Sequence, residues 1–187
     1  IGNPPYVDIK ALDNAFVKVL FKLYPTALNR INLYSIFIER ARSLLNDRGT
    51  LTFIVPNSLL INDSYEKIRR HIIDDLQQLI KLPDSIFENA VVETIILLLN
   101  KGVKTESVES LFFKNNERTN LTDLVFENRS KNDWMKDDLC RFNIFKASSE
   151  SHLLDLIEQD KIQLIKEVDF SLGITPYDKA KGHTKEQ

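Results

Sequence analysis

The sequence predicts an α/β fold, a sheet covered by helices on both faces, and three observations carry that prediction. Helix-periodic segments alternate with strand-like ones through the N-terminal half. Thr94 to Leu99 is a continuous apolar run, the mark of a strand buried on both faces. A chain of 187 residues, 43% hydrophobic and 28% charged, has the composition and length of a globular domain plus part of another.

Taken in order, the chain opens on Ile1-Gly2-Asn3-Pro4-Pro5-Tyr6-Val7, which reads as a strand end running into a tight turn. A fold seldom starts there, so a fragment of a longer protein with at least one strand upstream is expected. Residues 8 to about 30 mix helix and loop and are interrupted by Pro25. Tyr34, Phe37, Ile38, Ala41, Leu44 and Leu45 recur at spacings of three and four, a helix with one apolar face, and Gly49 is placed to end it in the left-handed conformation. Thr50 to Val55 is a β-branched and aromatic strand closed by Pro56. Asp63 followed by Glu66 resembles a capping box, opening a helix that carries Tyr65, Ile68, Ile72, Leu76 and Leu79. A short strand from Ile80 to Leu82 stops at Pro83, and Val108 to Phe113 is expected to pair with Thr94 to Leu99 as a hairpin around Lys101-Gly102. Residues 115–138 are polar with a lone Trp134 and read as a linker. A short helix is expected from Ser149, carrying Leu153, Leu154 and Ile157.

Charge and cysteine content narrow the function classes. Twenty-five basic against 27 acidic residues give −2, so any nucleic-acid contact must come from local patches. The single Cys140 excludes a disulfide framework or a cysteine-rich zinc site and fits a reducing cytoplasm. No apolar run is long enough for a membrane helix, and no targeting segment is visible. His71, His152 and His183 lack metal-ligand spacing, so no metal is expected. Pro83-Asp84 with Glu93-Thr94-Ile95 lacks the lysine of a nuclease carboxylate motif. Arg69-Arg70 is expected on a solvated helix face; the Lys179, Lys181, Lys185 cluster of the tail, interleaved with Asp178 and Glu186, is expected to be solvated surface, with contact to phosphates as the alternative.

Asn3-Pro4-Pro5-Tyr6 is the sharpest chemical signal. Consecutive prolines fix their own φ and hold Asn3 and Pro4 extended, a rigid hook that can aim the Asn3 amide oxygen and the Pro4 carbonyl at one point. Two converging acceptors suit a planar NH₂ group: accepting both hydrogens draws the nitrogen toward tetrahedral geometry and frees its lone pair for attack on an electrophilic methyl. Tyr6 offers a flat face to a ring, worth about 1–3 kcal/mol for a nucleobase. The alternative is a proline turn whose tyrosine packs locally. Pro56-Asn57-Ser58 follows the next strand, which would set both turns on the carboxyl rim where open α/β sheets bind ligands.

These residues resemble the amino-group DNA methyltransferases, specifically the TaqI-like adenine class and the combined, type IIG-like restriction–modification enzymes. Asn3-Pro4-Pro5-Tyr6 is similar to their catalytic motif. Asn32-Leu33-Tyr34 with Phe37-Ile38-Glu39 is similar to the helix after it, and Gly49 through Pro56 to the next strand and turn. Phe87-Glu88-Asn89-Ala90 with Thr94-Ile95-Ile96 resembles the segment that sets an aromatic against the extruded base. The resemblance covers residues 1 to about 101 in order and spacing, and the tail from Phe170 through Gly182 loosely resembles the opening of a target-recognition domain.

The resemblance implies the C-terminal half of a Rossmann-like methyltransferase sheet over residues 1–114, a helical connector over 115–161 and the start of a recognition domain over 162–187. It implies methyl transfer from S-adenosylmethionine to the N6 amine of a flipped adenine, an adenine-specific DNA methyltransferase of a restriction–modification system. Asn3, Pro4, Pro5 and Tyr6 are then the catalytic residues and Phe87 a substrate contact. The partners are double-stranded DNA and a restriction endonuclease domain or subunit. The family's donor-binding residues lie before its catalytic motif, so here they are expected upstream of Ile1, and these residues alone are expected to be inactive. An amine of protein glutamine or RNA is the alternative substrate, and a non-catalytic DNA-binding subunit the alternative role.

Overall fold

The computed structural model describes residues 1–28, 31–83, 92–113 and 124–145, and residue 168. Residues Ile1–Lys146 form one compact unit and Ala147–Gln187 another. The helix expected from Ser149 and nearly all of the expected recognition segment lie outside the described residues.

The sheet contains β1 (Thr50–Pro56), β2 (Leu76–Lys81), β3 (Thr94–Asn100), β4 (Ser107–Phe112) and β5 (Glu127–Ser130), in the spatial order β1-β3-β2-β4-β5. The most apolar strand, β3, lies between β1 and β2 and is antiparallel to both; β2 and β4 are parallel, and β5 closes the edge antiparallel to β4. With α1 (Asn14–Leu23), α2 (Leu33–Leu44), α3 (Ser58–Ile61), α4 (Glu66–Ile72) and α5 (Lys131–Lys136) this is a mixed α/β fold. Gly2 extends the sheet beyond β1: its N–H donates to the Thr52 carbonyl at 2.9 Å, and the Ile54 N–H donates to the Gly2 carbonyl at 3.1 Å, a parallel bridge to Phe53. A Cβ there would stand 2.9 Å from the Phe53 ring, so any larger residue requires that side chain to shift.

Several local expectations are corrected. The expected hairpin does not form: both edges of β3 are occupied, and β4 crosses over to pair with β2. The helix expected to carry Leu76 and Leu79 stops at Ile72, a 3-10 turn over Ile73–Asp75 follows, and both leucines are in β2. A bulge between Leu76 and Gln78 inserts one residue, so Leu76, Leu79 and Lys81 all point inward. A three-residue apolar spacing inside a strand imitates a helix. No capping box forms at Asp63: the Asn62 side chain accepts from the Ser64 N–H at 2.9 Å, while Asp63 faces Arg141 at 3.5 Å. At the end of α2, Arg48 and not Gly49 is left-handed (φ 61°), and Gly49 is required for space, since a Cβ would lie 2.8 Å from the Asn46 carbonyl. On α2 itself Tyr34 and Ile38 are buried, joined by Ser35, Ile36 and Glu39, whereas Phe37 and Leu44 are exposed.

The two arginines of α4 part company. Arg70 is surface-held, donating to Glu66 at 2.7 Å and to the Asp138 carbonyl at 2.7 Å. Arg69, expected on a solvated face, is fully buried and donates to the carbonyls of Leu59, Asn62, Leu139 and Cys140 at 2.7–2.9 Å. It ties residues 139–142 to the α3–α4 corner, helped by the Phe142 N–H on the Leu60 carbonyl at 2.9 Å. The described part of the expected connector, residues 124–145, is thus packed structure: Trp134 and Phe142 are buried, with ring centroids 4.9 Å apart.

Away from the carboxyl rim of β1, Asp75 gathers the helix layer and a strand end. It accepts from Arg42 Nε at 2.6 Å and from the Gly102 N–H at 2.9 Å, and Arg42 lies 3.3 Å from His71 Nε2. Burial and the Arg42 charge hold the His71 pKa below its ordinary 6.5, against the opposing pull of Glu39 and Asp75. A depressed histidine contributes stability present above its unfolded pKa and lost as pH falls through the folded one. Thermal stability is therefore expected to drop as pH falls below about 6.5, and His71→Asn should flatten that slope in a scan from pH 8 to about 5. An unchanged slope refutes the assignment.

Candidate active site

The hook leaves the sheet at Gly2 and lies at the carboxyl end of β1, as the sequence predicts. Asn3 is exposed, Pro4 buried, Pro5 exposed and Tyr6 half-buried. Beyond it the chain is fastened again: the Leu33 N–H donates to the Val7 carbonyl at 2.8 Å, and Asp8 bridges Asn32 at the start of α2. The hook is therefore fixed at both ends, on β1 before it and on α2 after it.

Within it, Tyr6 is the anchored member. Its hydroxyl donates to the Ile54 carbonyl at 2.9 Å, and its ring stands at 80° to that of Tyr34, with centroids 6.1 Å apart. Tyr34 is fully buried, its hydroxyl 3.1 Å from Ser58 Oγ and its ring 5.3 Å from that of Tyr65. Burial raises the Tyr6 phenol pKa, and burial with the neighbouring Tyr65 raises that of Tyr34 far above its ordinary value, so both remain neutral. By contrast, the Asn3 side chain and the Pro4 carbonyl accept no hydrogen bond among the described residues. The groups able to grip an amine are unengaged, while the group able to stack is held.

The turn after β1 shares this rim. The Asn57 N–H donates to the Glu93 carbonyl at 3.0 Å and its Nδ2 to Glu93 Oε2 at 2.6 Å, and Lys81 Nζ lies 3.2 Å from that same oxygen. The ends of β1 and β2 and the start of β3 are thus joined beside the hook. Lys81 lies far from Glu93 in sequence, which is why spacing gave no sign of the pair. Tyr34 and Ser58 also lay outside the expected site residues; the signals available were the place of Tyr34 in the first turn of α2 and that of Ser58 in the Pro56-Asn57-Ser58 turn on the rim. Phe87, expected as a substrate contact, and Asp84 lie outside the described residues. Among the described residues no helix is long and apolar enough to cross a membrane.

The chain is similar to the Escherichia coli type II restriction enzyme and methyltransferase RM.Eco57I, with 30% identity over 107 residues, 54% of this chain and 11% of that protein. It is similar to the Thermus thermophilus type II methyltransferase M.TthHB8I, with 30% identity over 111 residues, 56% of this chain and 26% of that protein. The chain therefore spans about a quarter or less of the length of these relatives. In fold it is similar to the type IIG restriction endonuclease BpuSI, with TM-score 0.59 and 15% identity over 82% of this chain and 21% of that one. The segment bearing the hook, α2, β1 and α4, residues 1–87, matches the family described as Eco57I restriction-modification methylase.

Proposed function

We propose that this chain carries the methyl-acceptor side of a site-specific DNA methyltransferase acting on the N6 amine of an adenine turned out of the duplex, within a restriction–modification system. The observation that carries the reading is the hook itself: Asn3 exposed and unengaged at the carboxyl rim, beside a half-buried Tyr6 tied to the Ile54 carbonyl. Asn3 Oδ1 and the Pro4 carbonyl accept the two amine hydrogens, and Tyr6 takes the base against its ring. Both acceptors stabilise a nitrogen whose lone pair is withdrawn from the purine, so their bonds strengthen as the new C–N bond forms and places positive charge on nitrogen, a charge that is lost again when one N–H proton leaves. Phe87 contacts the base from another side.

S-adenosylmethionine supplies an electrophilic methyl on a sulfonium sulfur. The described residues fit the acceptor side alone: none of their strand ends carries a glycine-rich loop, and no residue is assigned to the donor. Double-stranded DNA is the substrate, and a restriction endonuclease domain or subunit is the companion activity.

The test is modified-base sequencing of DNA from cells expressing the full-length protein, wild type beside Asn3→Ala. N6-methyladenine at one defined sequence, absent in the variant, is expected. Methylcytosine would retain the hook's chemistry and change the base. No mark from a folded, expressed wild type would move the substrate to an RNA or protein amine.

A further inference from the structure

We propose that Tyr34, held by Ser58, is a positioning residue that sets the plane of the Tyr6 ring, an inference that rests on the reading of Tyr6 as the face on which the base stacks. Tyr6 retains one rotational freedom. Its backbone is fixed by the hook and its hydroxyl by the Ile54 carbonyl at 2.9 Å. Both points lie on the axis running from Cβ through the ring to the hydroxyl. Rotation about that axis, the χ2 torsion, is restrained only weakly by them, through the preference of the phenolic proton for the ring plane, and χ2 of tyrosine is intrinsically broad. Yet it is this rotation that decides where the ring faces. A stacking platform with a free χ2 would spend much of its time edge-on to the base.

Tyr34 supplies the missing restraint. Its ring stands at 80° to the Tyr6 ring at 6.1 Å, the edge-to-face arrangement in which the positive rim of one ring meets the negative face of the other, and turning Tyr6 breaks it. Such a contact orients its partner only if its own ring is immobile, and Tyr34 is fully buried, packed on Tyr65 at 5.3 Å and hydrogen-bonded to Ser58 Oγ at 3.1 Å. Ser58 begins α3 immediately after the turn that closes β1. The Ser58–Tyr34–Tyr6 relay therefore refers the ring plane to the same strand that anchors the Tyr6 hydroxyl.

The test uses the full-length protein and a duplex containing its target site, with wild type, Tyr34→Phe, Ser58→Ala and the double variant. Tyr34→Phe keeps the ring and loses the hydrogen bond, and Ser58→Ala removes the same bond from the other side. Each single variant is expected to lower kcat about tenfold, with KM for DNA within about twofold and Tm within about 5 °C of wild type. The double variant should fall short of the product of the two single effects, because both remove the shared Tyr34–Ser58 bond while each hydroxyl also pairs with Tyr65. A second readout follows the ring directly: in protein labelled with 3-fluorotyrosine, with the Tyr6 signal assigned through Tyr6→Phe, the variants should change one fixed ring orientation into two exchanging ones. An unchanged Tyr6 signal overturns the proposal, as does a kcat loss that only tracks a fall in Tm. If the wild type methylates no DNA, the functional reading fails instead, and the fluorine signal by itself decides whether Tyr34 orients Tyr6.

Discussion

Asn3→Ala in the full-length protein is expected to lower methyl transfer about 10²–10³-fold, the usual effect of removing one preorganised hydrogen-bonding group from a reacting centre. The side chain is exposed and has no partner within the described residues, so its removal should leave Tm within about 2 °C and DNA affinity within about threefold. The Pro4 carbonyl stays in place, which is why some activity should survive. Asn3→Gln separates chemistry from geometry. It restores the amide one methylene further out, and because a displacement of about 1 Å is enough to cost about 10²-fold, it should fail nearly as badly. A Gln variant with wild-type kcat would remove the geometric account while leaving an acceptor role intact.

Arg69→Ala carries the largest expected effect on stability. The substitution empties a fully buried volume and removes the guanidinium donor from the carbonyls of Leu59, Asn62, Leu139 and Cys140, of which Asn62 keeps the Tyr65 N–H. Those penalties together amount to about 3–5 kcal/mol. Burial already pulls the guanidinium pKa below its ordinary value, but arginine remains charged, and the carbonyl cage compensates for its lost hydration. Hydrogen exchange should show the loss locally, with the amides of Cys140 and Phe142 exchanging at least about 10²-fold faster. Arg69→Lys places one nitrogen where the guanidinium offers a fork, so it should recover only part of the stability. Unchanged exchange at Cys140 and Phe142 in Arg69→Ala would show that residues 139–142 are held by Trp134 and Phe142 packing instead.

Local information made the hook legible from the sequence. Two prolines restrict their own torsions and those of the residues before them wherever they occur, so the rigidity of Asn3-Pro4-Pro5-Tyr6 is a property of the segment. The 34–45 helix and the 50–55 strand were legible for the same reason, since periodicity and β-branching act over neighbours in sequence. The composition of Thr94 to Leu99 made its strand character legible, but of the two faces expected to be buried only that of Ile95, Leu97 and Leu99 is, while Ile96 and Leu98 are half-buried.

What the tertiary structure decided is the partnership of groups distant in the chain. β4 pairs with β2 because both edges of β3 are already occupied, which the segment Val108 to Phe113 does not encode by itself. Leu76 and Leu79 belong to a strand because a bulge, defined only by the register against β3, turns both inward. Arg69 is buried because residues 139 and 140 bring carbonyls to it from about 70 positions away. At the site the division is the same. The sequence by itself determined which groups could grip an amine, because a proline-fixed acceptor pair is local chemistry. Only the fold decided which way Tyr6 faces, because that rests on Ile54, Tyr34 and Ser58, and contacts between distant residues exist only once the sheet and its helices have closed.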